Sequence, residues 1–434
     1  MTEPVPVRPA HSATRGRGAR VALWGAFLLV HLLLARLNLA GTWFPTSDVA
    51  AVSPFNDVTG VYRQWAEQAL QRDFVAGIDG PFVYPIVALL PILASASFGF
   101  GAYGITWIVM VTALNAAALA FLTRRASASL APAWWWVTFL LLLGPIAIGR
   151  IDSVTVPIAL VGVLLAGRHP LVATALITFG AWIKIWPAAL VAALLITGPL
   201  RARVAASAAL TSAVILGVAL AFGGGAEVFS FISGQTGRGL QVEAPVTSFW
   251  LWQTLGGAPG ASVYFDRDMI TYQVTGDGAG VAAAVMTPVL AVAVAGISAL
   301  GVLAVRRGAP SAEVLAPLSL ALVVGLIAFN KVGSPQFMAW IAVPVLLGLT
   351  TGGRSFRVPA ALALAVAALT QLIYPTLYHQ LVALDPTMIA VLAVRNALIF
   401  VLLGWAIVTL QRFPARARLE ADLTPMNPLN LKKE

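Results

Sequence analysis

The 434-residue chain has no cysteine at all. Disulfides and thiolate metal sites are therefore excluded. Charge is also scarce. Only 10% of residues are Asp, Glu, Lys or Arg, against about 25% in a soluble domain. Four histidines (His11, His31, His169, His379) are scattered along the chain, so the spacing offers no histidine metal cluster. No Walker-type phosphate loop and no His-Glu-x-x-His stretch occurs. The net charge of +10 is carried by short gaps between apolar segments. No basic stripe interleaved with aromatics is present, which argues against a nucleic-acid partner.

Apolar sequence fills the space those absences leave. Hydrophobic residues make up 59% of the chain, and the mean hydropathy is +0.88. A soluble bundle cannot be that apolar on its outer faces. Apolar segments run over 20–40, 103–122, 133–149, 153–167, 170–182, 185–199, 203–222, 280–305, 311–328, 331–350, 358–375 and 386–410. Most approach the roughly 20 residues that cross a hydrocarbon layer. The fold class read from this is all-α: a polytopic transmembrane helical bundle of about twelve spans. A further apolar piece, 81–98, is broken by Pro81, Pro85 and Pro91 and reads as a partial or re-entrant element. The polar N-terminus leads into 20–40 with no small-residue cleavage site after it, so that segment reads as a retained first span.

The positive-inside rule sets the expected orientation. With both termini cytoplasmic, Arg124–Arg125, Arg168, Arg201–Arg203, Arg306–Arg307, Arg354–Arg357 and Arg412–Arg418 all fall inside. The expected layout is a cytoplasmic tail at 1–19, one membrane domain at 20–410 and a second cytoplasmic tail at 411–434. Two long loops, 41–80 and 223–279, then lie outside. The uncommon polar residues gather on that same face, which points to a site there.

Each of these residues has a plain reading beside a functional one. Asp57 opens an amphipathic stretch to about Gln71, with Val58, Val61, Trp65, Ala69 and Leu70 on one side. It is either an ordinary helix N-cap or a carboxylate poised to take a proton from a sugar hydroxyl. Asp48 is its rival in the same loop. Arg150 and Asp152, in Gly149-Arg150-Ile151-Asp152, form either a surface ion pair or part of a polar cavity. Lys184, between Trp182 and Trp186, is either a snorkelling lysine or a cation for a lipid phosphate. Arg395 lies well inside the last span, where a charge costs roughly 2.5 kcal/mol or more. Phosphate binding is the favoured reason for its presence, since a guanidinium fork matches phosphate oxygens. Arg238, Gln241 and Glu243 form a dense polar cluster beside Gly237 and Gly239, glycines that permit close backbone approach. Lys331 and Gln336 flank a turn at which Pro335 can start a helix.

Taken in order, these motifs resemble the actinobacterial integral-membrane mannosyltransferases of the GT-C class, glycosyltransferase family 87. The resemblance covers about residues 20–410. It rests on Asp57 with Tyr62, on Tyr84-Pro85, on Gly149 to Asp152, and on Lys184 to Pro187. It continues through Arg238-Gly-Leu-Gln-x-Glu243, Ser334-Pro-Gln-Phe337 and Arg395-Asn396. The chain departs from the family pattern at Ala244, often a serine, and at Ile86, often a second proline. The resemblance implies an inverting transfer of mannose from polyprenyl-phosphate-mannose to a (glyco)lipid acceptor at the outer face of the plasma membrane. An α-(1→2) linkage in phosphatidylinositol mannoside or lipomannan-type glycolipid synthesis is the expected product. Asp57 is then the base. Lys184, Arg395 and Lys331 hold the donor phosphate. Arg150, Asp152, Tyr62, Arg238, Gln241, Glu243 and Gln336 shape the sugar and acceptor pockets. The expected partners are the lipid-linked donor, the glycolipid acceptor and membrane lipids, with no metal, no cofactor and no nucleic acid. The competing reading is a transporter or flippase of a lipid-linked sugar, which predicts inverted repeats and mid-membrane charges on several spans.

Overall fold

The computed structural model describes residues 11–40, 53–71, 73–124, 129–234, 237–267 and 269–423, with 11–16 and 414–423 as backbone only. Asp48 lies outside the described residues. The chain forms a helical bundle, and all twelve apolar segments appear as helices. Seven are long and apolar enough to cross a membrane, and five are shorter.

The first half contains α1 (His11–Leu39), α2 (Arg63–Gln71), α3 (Leu89–Ala94), α4 (Tyr103–Leu122), α5 (Ala131–Leu143) and α6 (Asp152–Leu165). It continues with α7 (Pro170–Ala181), α8 (Ala188–Thr197) and α9 (Arg201–Ala221). Two short helices follow in the long loop, α10 (Ser230–Ser233) and α11 (Ser248–Leu255). The rest comprises α12 (Ala279–Arg306), α13 (Ser311–Ala328), α14 (Ala342–Thr351), α15 (Arg357–Gln371), α16 (Tyr378–Val382) and α17 (Pro386–Leu423). Segment 81–98 holds only a 3₁₀ turn at Ile86–Ala88 and the six-residue α3, too short to cross a bilayer.

Burial follows hydrophobic patterning. α13 is apolar on every face and is 72% buried, packed among α8, α12, α14 and α17. α9, equally apolar, is only 11% buried and α12 17%, so these two present their side chains outward. An apolar outward face is stable only against lipid. Short connections make neighbouring helices antiparallel. The arginines at 124, 168, 201, 306, 307, 354 and 357 therefore sit at one end of the bundle. The functional candidates sit at the other.

Two local features differ from the sequence reading. The helix after Pro54 begins with a π-helical turn, Asp57–Tyr62, whose N-cap position is Asn56, not Asp57. The wider π turn rotates the inward face. Val58, Tyr62 and Ala66 are buried, while Leu70 is 55% exposed. The loop after α9 also carries a small antiparallel sheet, ordered β1-β3-β2, from β1 (Leu240–Gln241), β2 (Ser262–Asp266) and β3 (Thr271–Thr275). Its register places Gln241 opposite Gln273 and Val263 opposite Val274.

Candidate active site

The site is built where α5 hands over to α6. Gly149 makes the turn tight. A Cβ there would lie 2.8 Å from Asn38 Oδ1 and 2.9 Å from the Pro54 carbonyl. Asn38, buried near the end of α1, donates to the carbonyls of Leu34 and Pro145, each at 3.0 Å. The end of α1, the segment before Asp57 and the α5–α6 turn are thus pressed together around an absent side chain.

Arg150 and Asp152 do not pair with each other, and neither lies on the surface. They are 7% and 1% exposed. Arg150 points to one side. Its Nε lies 3.2 Å from Asp57 Oδ2, its Nη1 donates to the Pro54 carbonyl, and its Nη2 donates to the Tyr374 hydroxyl at 3.2 Å. Burial works against the Arg150 charge, but Asp57 and the surrounding tyrosines outweigh it and hold the guanidinium protonated. Asp57 keeps a third of its side chain exposed. The pair engages Oδ2, so Oδ1 is the oxygen available to an incoming hydroxyl.

Asp152 points to the other side. Its Oδ1 accepts from Trp340 Nε1 at 2.6 Å. Lys184 Nζ stands 3.6 Å from Oδ2, beyond hydrogen-bond reach, and Oδ2 makes no hydrogen bond. The ammonium also lies 4.6 Å from the centre of the Tyr84 ring and 5.5 Å from that of Phe337. These are cation–π distances. Lys184 is therefore a loosely held inward cation, not one reaching out along a lipid boundary.

Tyr62 and Tyr84 join the two halves. Their hydroxyls are 3.2 Å apart, and the Ile151 amide donates to Tyr62 Oη at 3.3 Å. Burial, then the neighbouring Tyr84 and Asp57, push the Tyr62 hydroxyl well above its ordinary range, so it stays a proton donor. Trp65 stacks on Tyr62 and meets Tyr84 edge-on, and Phe82 packs edge-on against Tyr84.

The third wall comes from the long loop, the connection between α13 and α14, and α17. Glu243 and Arg395 form a buried pair, with Nη1 to Oε2 at 3.1 Å and Nη2 to the Glu243 carbonyl at 2.7 Å. Arg395 Nε donates to Asn396 Oδ1 at 3.0 Å. Burial raises the Glu243 carboxyl to about 7, against the opposing pull of Arg395. The Gln241 amide donates to the Lys331 carbonyl at 3.1 Å. Gly333 packs directly on the Glu243–Ala244 backbone, where a Cβ would collide with the Ala244 nitrogen. Lys331 is 4% exposed, and burial together with the nearby Arg238 charge lowers its ammonium. The Arg238 Nε is buried and has no hydrogen-bond partner; burial lowers the guanidinium, and Tyr84 works against that. Gly237 stands open, whereas Gly239 abuts the Gln273 side chain. Gln336 is half-buried at the start of the 3₁₀ stretch Pro335–Ile341.

One set of contacts therefore links Asp57, Arg150, Tyr62, Tyr84, Lys184 and Asp152, and a second links Arg238, Gln241, Glu243, Lys331 and Arg395. Tyr84 touches both. Arg150, Lys184, Arg238, Lys331 and Arg395 outnumber the carboxylates of Asp57, Asp152 and Glu243, so the site is positive. Among the described residues, no three His, Asp or Glu side chains gather in reach of one ion. Sequence reasoning passed over Trp340 and Tyr374. Trp340 follows Ser334-Pro-Gln-Phe337 and Tyr374 ends the apolar segment 358–375, but aromatic residues are too common in an apolar chain to stand out.

The model of glycosyltransferase family 87 matches residues 82–329, more than half of the chain. This chain belongs to glycosyltransferase family 87. No curated protein and no solved structure matches it. The match decides between the two functional readings of the sequence: a family 87 glycosyltransferase moves a sugar from a donor to an acceptor, and the transporter reading falls. The matched stretch contains Tyr84, Arg150, Asp152, Lys184, Arg238, Gln241 and Glu243. Asp57, Tyr62, Lys331, Gln336 and Arg395 lie outside it. The bundle brings both groups together.

Proposed function

We propose that this family 87 enzyme is an inverting mannosyltransferase of the GT-C class. Its donor is polyprenyl-phosphate-mannose, and its acceptor is a (glyco)lipid at the outer face of the plasma membrane. An α-(1→2) linkage in phosphatidylinositol mannoside or lipomannan-type synthesis fits this reading. The observation that carries it is the separation of one carboxylate, Asp57, a third exposed and held by Arg150, from the inward cations Lys184, Arg238 and Lys331.

Inversion needs a base on one side of the sugar carbon and support for the leaving group on the other. Asp57 takes the proton of the acceptor hydroxyl as the new glycosidic bond forms. Arg150 fixes that carboxylate through Oδ2 and is itself held by Tyr374. The bond to the donor phosphate breaks, and its electron pair leaves with the phosphate oxygen. Lys184, Arg238 and Lys331 stabilise the charge that develops there. No nucleotide fold is required, because the polyprenyl phosphate is itself the leaving group. The sequence also puts Arg395 on the phosphate. Three of its five N–H groups go to Glu243 and Asn396, so we assign it to holding the loop that carries Arg238. Tyr62, Gln241, Asp152 and Gln336 line the sugar and acceptor space.

The test uses wild type and Asp57→Asn in detergent with polyprenyl-phosphate-mannose and a mannosylated lipid. Product is followed by thin-layer chromatography and mass spectrometry. Transfer by wild type, lost in a variant that still binds donor, is the expected outcome. Absence of transfer from folded, donor-binding wild type to a panel of lipid acceptors rejects the reading.

A further inference from the structure

A groove of about 320 Å³ lies on the outside of the bundle between α7, α8 and α9. Its volume and its mainly apolar lining are those of a ligand site. Small side chains make the space: Ala181 on α7, Ala188 and Ala192 on α8, and Ala208 on α9. Ala188, Val191, Ala192 and Leu195 recur at helical spacing, so one stripe of α8 forms the floor. The open side follows α9, the least buried of the long helices. Trp182 walls the mouth. Its indole donates to Ser212 Oγ at 2.9 Å, its carbonyl accepts from the Val87 amide at 3.0 Å, and its ring packs edge-on against Phe231. That bond also removes the one serine hydroxyl of the lining from play.

We infer that this groove holds the first isoprene units of the lipid-linked donor's tail; the inference rests on the donor being a polyprenyl phosphate sugar. The link between groove and site is the segment Trp182–Pro187. Lys184 turns inward toward Asp152 and Tyr84, with 15% of its side chain exposed. Ile185, the next residue, turns outward into the groove and is 55% exposed. The two residues are consecutive, with Cα atoms about 3.8 Å apart, so the Lys184 ammonium and the groove at Ile185 lie on opposite sides of one stretch of backbone. Asp57, where the acceptor hydroxyl must arrive, lies on the Arg150 side of the tyrosine pair instead. The acceptor's acyl chains therefore approach from elsewhere. Thr178 also lines the groove. The ten residues of α8 span about 15 Å, so only the proximal part of a long tail fits, and the remainder lies in lipid.

Two experiments test this. In the first, wild type in nanodiscs is irradiated with a polyprenyl phosphate carrying a diazirine on its second isoprene unit, and adducts are mapped by mass spectrometry. Adducts on Ile185, Val191, Ala192 or Leu195, competed away by unlabelled polyprenyl phosphate, are expected. Adducts confined to other helices overturn the groove, as does equal labelling by a phosphatidylinositol with the diazirine in an acyl chain. This readout needs no turnover. If the groove is labelled but no mannosyl transfer is found, the proposed function fails while the groove stands. In the second, Ala192→Trp fills the groove in the otherwise intact enzyme. KM for the long-tailed donor is expected to rise about tenfold with kcat nearly unchanged, and transfer from a short-tailed donor to be retained. Retained short-tail transfer shows that the variant is folded. Equal KM for the long-tailed donor in wild type and this variant overturns the inference.

Discussion

Glu243 and Arg395 lie 152 positions apart and meet at 3.1 Å in the interior, with the guanidinium also donating to the Glu243 main-chain carbonyl at 2.7 Å. The contact ties the long loop to the last span. It satisfies an arginine that would otherwise be costly at that depth, and it sets where Arg238 and Gln241 stand.

Breaking the pair from either side leaves a buried charge alone, which costs about 3–5 kcal/mol. Arg395→Ala and Glu243→Ala should each lower the unfolding temperature in detergent by several degrees and reduce transfer. Arg395→Lys keeps the charge but loses the fork, and should recover part of the stability. A double-mutant cycle on the two alanine variants checks the assignment. Simple additivity would show that the pair is not a coupled unit.

Gly333 supports the same loop by having no side chain. Gly333→Ala places a methyl group on the Glu243–Ala244 backbone. The loop must shift, and Arg238 and Gln241 shift with it. We expect transfer to fall at least about tenfold, since displacements near 1 Å can cost far more than that. The expected loss of thermal stability is smaller than for Arg395→Ala. Gly237→Ala, at an open position, is the control and should be close to neutral in the same assay.

Arg238 lies within electrostatic reach of both Tyr84 and Lys331. If Arg238 and Lys331 bind the donor phosphate, Arg238→Gln and Lys331→Gln should each weaken binding of a polyprenyl phosphate by about tenfold or more, in line with roughly 1.5–3 kcal/mol for a hydrogen bond to a charged group. Binding of an uncharged polyprenol should be unchanged. Equal losses for the alcohol and the phosphate would mean that these side chains support the fold and not the phosphate. Direct binding by microscale thermophoresis separates the two.

Much of this was legible in sequence because a lipid environment makes apolar length a reliable ruler. All twelve helical segments could be read that way, as could the short, proline-broken piece at 81–98. Polar residues in so apolar a chain also announce themselves, which is why Asp57, Arg150, Asp152, Lys184, Glu243 and Arg395 stood out. Their pairing did not. Arg150 finds Asp57 and Lys184 finds Asp152 through tertiary packing, which no local spacing encodes. The inward turn of Tyr62 depends on a π-helical turn, and the ordinary helical period assigns that face to Trp65 and Leu70. The small sheet was missed because its longest strands have only five residues and sit in a polar loop.

Arg150 serves Asp57 by geometry as well as by charge. Arg150 contributes a planar fork: one nitrogen faces Asp57 Oδ2, another the Pro54 carbonyl and a third the Tyr374 hydroxyl. Lysine keeps the charge and loses the geometry. Arg150→Lys should therefore leave donor binding near wild type but lower kcat by about tenfold to a hundredfold, because the carboxylate is no longer aimed. Asp57→Asn removes the proton acceptor outright and should cost about 10²–10⁴ in kcat. In the double variant the loss should stay close to that of Asp57→Asn alone, since a fork with no base to aim has nothing left to contribute. Multiplied losses would show instead that Arg150 acts on the sugar or the phosphate directly. Single-turnover transfer with a radiolabelled donor, measured beside donor binding, tells the two apart.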